Sequence, residues 1–301
     1  MGRFPIKIGS LGKQVELISN SMDVAEGNTT GEDYFSFFRG SGLEFKDYRE
    51  YTESDDSRNI DWKASLRSDK VLVKDFFQER GLDIVFLYDV SESMLFGSQN
   101  RIKAHYGAEF ILTLATTAIE SNYNAGLVCF SDKINESFFP ASGQGQLGLF
   151  FGVLGEHSTY GGEFDLNKAL EYVDANFLPG SIVILVSDFL GNKMPVTHFK
   201  DKFKQLASKF DLITVVIRDP RDEFMPSESM DVVVSDPYGR GQVFFNTKKV
   251  KKRYEDVSKK QKEELVNFLR NTRSEHFELY TDKDFVDSTI AFFKRRGAIS
   301  R

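Results

Sequence analysis

Asp89, Ser91 and Ser93 occupy alternate positions, and a second oxygen-bearing pair, Ser187-Asp188, stands further along the chain. Carboxylate, hydroxyl and water oxygens are hard ligands of the kind that suit Mg²⁺ or Mn²⁺. Alternate residues on a loop leaving a strand can aim three oxygens into one cavity. Mg²⁺ keeps several waters in a near-octahedral shell, so two serine hydroxyls with water-bridged aspartates meet its demands. Asp89, Ser91, Ser93 and Asp188 are therefore the expected metal residues. Other chemistries are poorly served. No Gly-x-Ser-x-Gly elbow is present, and the Gly143, Gly145, Gly148, Gly152 stretch lacks the lysine of a phosphate loop. His105, His157, His198 and His276 have no zinc-like spacing. Phosphotransferases of the haloacid dehalogenase type need a second aspartate two positions after the first, where this chain has Ser91. No catalytic residue is assigned, and the chain is read as non-enzymatic.

The elements that must hold these oxygens are two apolar runs. Ile84–Tyr88 ends at Asp89, and Ile182–Val186 ends at Ser187-Asp188; both have the length and β-branched composition of buried strands. In an open parallel sheet, ligands bind beyond the carboxyl ends of strands, so both acidic ends can converge there. Helical spacing over 101–121, 165–177, 196–209, 250–271 and 283–295 alternates with further strands at Ala125–Phe130, Leu212–Ile217 and Phe277–Tyr280. Ile134–Phe139 reads as an antiparallel edge strand, and Val232–Val234 with Val243–Phe245 as a small hairpin. The glycine-rich 143–152 stretch reads as a loop with a weak helix. The expected fold is α/β, a doubly wound and mostly parallel sheet over 81–301, preceded by a partly β segment over 1–80. A short helix is allowed within 1–30, and strands joined by a turn are expected around Gly40-Ser41-Gly42.

Composition narrows the classes. The 301 residues are 41% hydrophobic, enough for a sizeable core, and the net charge of −6 does not suggest a nucleic-acid binder. The run Lys248-Lys249-Val250-Lys251-Lys252-Arg253 is diluted by Glu255, Asp256, Glu263 and Glu264 and reads as a solvated helix face. Cys129 is the only cysteine, expected in a buried strand, which excludes an internal disulfide. The first ten residues lack the apolar centre of a signal peptide, and no run approaches the ~18 apolar residues of a membrane span. A cytoplasmic protein with no membrane partner is expected.

Two resemblances sharpen the reading. Asp89-x-Ser91-x-Ser93 resembles the metal-ion-dependent adhesion site of von Willebrand factor A domains, with Asp188 where that family places its distal aspartate. The same site normally takes a threonine from a Gly-Gly-Thr loop, whereas this chain has Gly161-Gly162-Glu163-Phe164-Asp165. Phe164 stands in the threonine position and cannot coordinate. Glu163, Asp165 or Thr159 are the candidate substitutes, and weak or altered metal binding is expected. Gly42-Leu43-Glu44-Phe45, Asp47-Tyr48-Arg49-Glu50-Tyr51, Asp55-Asp56-x-Arg58-x-Ile60-Asp61-Trp62-Lys63 and Val73-Lys74 resemble the signature of a bacterial and archaeal family, domain of unknown function fifty-eight. Its members carry a von Willebrand A-like domain after this signature. The resemblance implies a protein–protein adaptor working with an AAA+ ATPase of the MoxR type in assembly or maturation of other complexes. A metal-dependent hydrolase and a purely structural scaffold are the alternatives. Partner capture is expected at the strand-end face through Asp89 on a surface loop, with Trp62 as a core plug.

Overall fold

The structure is a computed structural model that describes residues 45–51, 62–68, 70–76, 82–98, 101–191, 196–229, 231–235, 242–272 and 274–299. Helix within 1–30 and the turn at Gly40-Ser41-Gly42 lie outside the described residues, as do Asp55, Asp56, Arg58, Ile60 and Asp61.

A six-stranded sheet carries the molecule. Its strands are β3 (Asp83–Asp89), β4 (Asn124–Phe130), β5 (Ile134–Ala141), β6 (Ile182–Ser187), β7 (Asp211–Arg218) and β10 (Glu275–Tyr280), in the order β10-β7-β6-β3-β4-β5. All neighbours are parallel except β5, which runs antiparallel to β4 at one edge. The near-continuous apolar sequence of β3 follows from burial on both faces. Ile84, Phe86 and Tyr88 enter one core, and Val85 and Leu87 enter the other. The first core is closed by α2 (Lys103–Glu120), α3 (Gln144–Leu154) and α8 (Phe285–Ile299). The second is closed by α4 (Leu166–Asn176), α5 (Lys200–Lys209) and α7 (Thr247–Arg270). The expected mostly parallel, doubly wound α/β sheet is what the chain forms.

The winding sets the site. From β3 the chain moves outward to β4 on one side, and from β6 it moves outward to β7 on the other. The two connections part between β3 and β6, which pair directly, with Tyr88 opposite Val186. This is the switch point at which open α/β sheets leave a crevice.

Other elements lie outside this sheet. β1 (Phe45–Glu50) pairs antiparallel with β2 (Leu72–Phe76), with α1 (Trp62–Ser68) between them in sequence. β8 (Asp231–Ser235) and β9 (Gln242–Asn246) form the expected hairpin.

Two expectations need correction. The 143–152 stretch is not a loop with a weak helix; Gln144–Leu154 is a regular helix, α3. Leu147, Phe150 and Leu154 fall on one buried face, while a Cβ at Gly145, Gly148 or Gly152 would meet only open space. The glycines weaken helix propensity without interrupting the apolar stripe, and burial prevails. Trp62 is no core plug: it opens α1 with its side chain 64% exposed. The basic run belongs to the first turns of α7, where Asn246 accepts from the Lys248 amide (3.1 Å), and Lys248, Lys249, Lys252 and Arg253 are exposed to solvent.

Candidate functional site

β3 ends in Asp89, and the loop after it folds back on its own side chain: the Ser91 amide donates to Asp89 Oδ1 (2.9 Å). A short 3-10 turn, Glu92–Leu95, then presents Ser93 beside Ser91, their Oγ atoms 3.2 Å apart. From the end of β6, Asp188 Oδ1 accepts from Ser93 Oγ (3.0 Å), and Ser187 Oγ donates to Asp89 Oδ2 (2.6 Å). Asp89, Ser91, Ser93 and Asp188 thus meet in one cluster, as their strand-end positions predict. All four are buried, Asp89, Ser91 and Asp188 completely. Asp89 is therefore not a surface loop residue, and its replacement is not a silent probe of binding. Burial, and then the Asp188 charge, push its carboxyl up to about 7 against the hydrogen bonds from Ser187 and Ser91.

The chain after Asp188 is held in a tight turn. Phe189 has φ 54°, an uncommon conformation for a bulky residue. Its amide donates to Ser187 Oγ (3.0 Å), and the Leu190 amide donates to Asp188 Oδ1 (2.9 Å). These bonds fix both strand-end side chains by giving their oxygens to the local backbone.

Sequence reasoning missed the cation in this cluster. Lys103, the first residue of α2, is 1% exposed, and its Nζ lies 2.6 Å from Asp188 Oδ2 and 3.3 Å from both oxygens of Asp222. Burial drives a lysine toward its neutral form, and a helix N-terminus disfavours positive charge. The carboxylates of Asp188 and Asp222 outweigh burial and raise the Lys103 pKa above its ordinary value. Arg218 Nη1 adds a bond to the Asp188 main-chain oxygen (3.2 Å). Asp222 comes from α6 (Pro220–Glu223), where Asp219 and Asp222 form a reciprocal capping box after β7. The Asp219-Pro220 dipeptide is a legible helix start that fixes Asp222 at this corner; Lys103 carries no comparable local signal.

The third loop closes the cluster from the side. Glu92 donates its amide to the Gly162 carbonyl (3.0 Å), and the Gly161 amide donates to Val90 O (2.7 Å). A Cβ on Gly162, at φ 95°, would lie 2.7 Å from Asp132 Oδ1 and 2.8 Å from Ser131 Oγ, so only glycine is accommodated. Phe164 turns away into the core, between Phe130 and Phe189 (ring centroids 6.0 and 6.4 Å). The three candidate substitutes are placed elsewhere. Thr159 Oγ1 donates to Val153 O (2.8 Å), Asp165 caps α4 by accepting from the Asn167 amide (3.1 Å), and Glu163 is exposed on the loop.

In donor type and spacing, the Asp89, Ser91, Ser93 and Asp188 oxygens fit a divalent ion, since neighbouring ligands in a Mg²⁺ shell are about 3 Å apart. Ser91, Ser93 and Asp188 would be its direct or water-bridged holders. Such an ion would supply an open coordination position facing the crevice. Every carboxylate oxygen of Asp89 and Asp188, however, already accepts from a protein donor, one of them a cation. Among the described residues no group of three or more His, Cys, Asp or Glu is arranged to hold a metal.

Beyond Ser93 and Lys103 the crevice opens into a pocket of about 750 Å³. Its floor is polar (Ser93, Lys103, Asp222), and its walls are largely apolar, including Phe96, Leu190, Met225 and Tyr254, with Val233 and Phe245 from the hairpin. Phe96, Phe224, Val233 and Phe244 are exposed large hydrophobics carried by the loops and hairpin on this side of the chain.

Several known proteins are similar to this chain. The "Uncharacterized protein Rv1480" of Mycobacterium tuberculosis is 21% identical over 282 residues, covering 89% of this chain and 84% of its own length. Among solved structures, the conserved hypothetical protein BatB from Bacteroides thetaiotaomicron is similar at 13% identity and TM-score 0.48, over 72% of this chain and 100% of its own. The SpRpn10 VWA domain is similar at 9% identity and TM-score 0.38, over 70% and 93%. No helix among the described residues is long and apolar enough to cross a membrane. The profile described as "Protein of unknown function DUF58" matches residues 47–264, most of the sequence, and the chain belongs to that family.

Proposed function

We propose that this protein is a non-enzymatic adaptor that binds another protein at the strand-end face. The observation that carries the reading is the pocket at the switch point. An apolar wall over a small polar floor is the form that receives an anchor side chain at a protein interface. Exposed Phe96 and Val233 at its lining extend the apolar surface beyond what one small ligand needs. The partner in this reading is an AAA+ ATPase of the MoxR type, in a cytoplasmic setting, with the adaptor linking the ATPase to complexes under assembly. Ser93, Lys103 and Asp222 form the floor of the pocket, and Asp188 stands behind it, bonded to Ser93 and Lys103. The expected Mg²⁺ or Mn²⁺ is not required for apolar capture.

Purified Phe96→Ser and Val233→Glu variants test this against a co-expressed MoxR-type ATPase, with a nucleotide and phosphoester hydrolysis screen alongside. Both positions are exposed, so folding should be little affected. Capture should fall at least about tenfold, which corresponds to loss of one modest anchor. Full capture by both variants would remove this face as the interface. Turnover of any phosphoester that is lost in Ser93→Ala would replace the adaptor reading with the hydrolase.

A further inference from the structure

We propose that the Lys103 ammonium is the resident cation of the Asp89–Asp188 cluster and keeps divalent ions out of it. A divalent site of this kind needs carboxylate oxygens free to face the ion or its waters. Here Asp188 Oδ2 is held by Lys103 Nζ at 2.6 Å, and Asp188 Oδ1 accepts from both Ser93 Oγ and the Leu190 amide. Asp89 is equally engaged, by the Ser91 amide and Ser187 Oγ. An entering ion must break these bonds and then sit beside a buried ammonium.

The position of Lys103 is costly on every count except this one. It lies at a helix start, where the macrodipole opposes it, and it is 1% exposed. Two carboxylates, Asp188 from the turn after β6 and Asp222 from α6 after β7, converge on its Nζ, and the Phe96 ring covers it at 5.5 Å. A lysine needed only for helix packing could reach water along its flexible stem; this one is held inward. The ammonium thereby joins the chain beyond β6 to the chain beyond β7, with a charge fixed in the sequence.

The test is Mn²⁺ and Mg²⁺ binding to the whole chain, by calorimetry and by the electron paramagnetic resonance signal of free Mn²⁺. Wild type should show no saturable site up to about millimolar ion, a free energy near 4 kcal/mol. Lys103→Met removes the charge while keeping the stem, and should gain one saturable site at least about tenfold tighter than any wild-type binding. Lys103→Met/Asp188→Asn should lose it again, because the released carboxylate is the ligand. Should Lys103→Met fold poorly alone, Mn²⁺ should restore its thermal transition, whereas equal ionic strength of NaCl should not. Saturable wild-type binding of either ion well below millimolar overturns the proposal. So does a folded Lys103→Met with no gain, or a poorly folded one that Mn²⁺ leaves unchanged.

Discussion

Phe164 is the residue on which the closed third loop depends, and its replacement has a calculable consequence. The side chain is 6% exposed and packs between Phe130 and Phe189. It also lies where a side chain on Gly191 would go: a Cβ there would be 2.4 Å from Phe164 Cδ1 and 2.9 Å from both Cγ and Cβ. Phe164→Ala should therefore cost about 3–5 kcal/mol, the range for emptying a buried aromatic site. For a domain of this size that lowers the thermal midpoint by roughly 6–20 °C. Gly191→Ala alone should cost about 1–3 kcal/mol, because the added methyl must displace the ring. In the Phe164→Ala background two of the three close approaches vanish and only the Cβ contact remains. The second substitution should then cost at least about 1 kcal/mol less than in wild type. Urea unfolding of the four proteins of this cycle supplies all the terms. A Phe164→Ala cost below ~1 kcal/mol, or the same Gly191→Ala cost in both backgrounds, would show that the ring does not fill this space.

Two further outcomes concern Asp219 and Trp62. The Asp219 carboxyl is buried, which alone would raise its pKa, yet bonds from the Ser98 side chain and amide, the Arg221 amide and Thr281 Oγ1 hold it below its ordinary value. Its stabilising contribution is thus present above the unfolded carboxylate pKa and is lost as pH falls through the lower folded value. Asp219→Asn should flatten the acid limb of stability against pH, measured by thermal melts; an unchanged acid limb would contradict the bonding described. Trp62→Ala should change stability by no more than ~0.5 kcal/mol, since the ring is 64% exposed, and a loss of several kcal/mol in urea unfolding would place that ring in a core instead.

Asp89, Ser91, Ser93 and Asp188 were legible because each lies one to five residues beyond a run whose length and composition announce a buried strand. The sheet's topology then brings the two ends together without further information from the side chains. The antiparallel edge strand β5 and the β8–β9 hairpin were legible for the same local reasons. α3 was not, because three glycines in eleven residues lower its helix propensity, while the buried apolar face that decides its fate rests on only Leu147, Phe150 and Leu154. Trp62 misled through the general habit of tryptophan to be buried. The neighbouring charges in Asp61-Trp62-Lys63 were the better local guide to an exposed helix start.

Lys103 and Asp222 belong to a different kind of information. The lysine lies 85 positions from Asp188 and 119 from Asp222, and no periodicity or motif in its own helix distinguishes it from a solvated residue. Its role exists only after β3, β6 and β7 have stacked in parallel and delivered their ends to one corner. The strand ends supply oxygens to that corner whatever cation is used, since they are fixed by the sheet. Which cation joins them is decided by residues the sheet does not specify: the one that opens α2, the one that caps α6, and the one that turns inward at position 164. The Asp-x-Ser-x-Ser pattern therefore reports a geometry for gathering oxygens at a switch point. The buried ammonium beside it reports how this chain balances their charge.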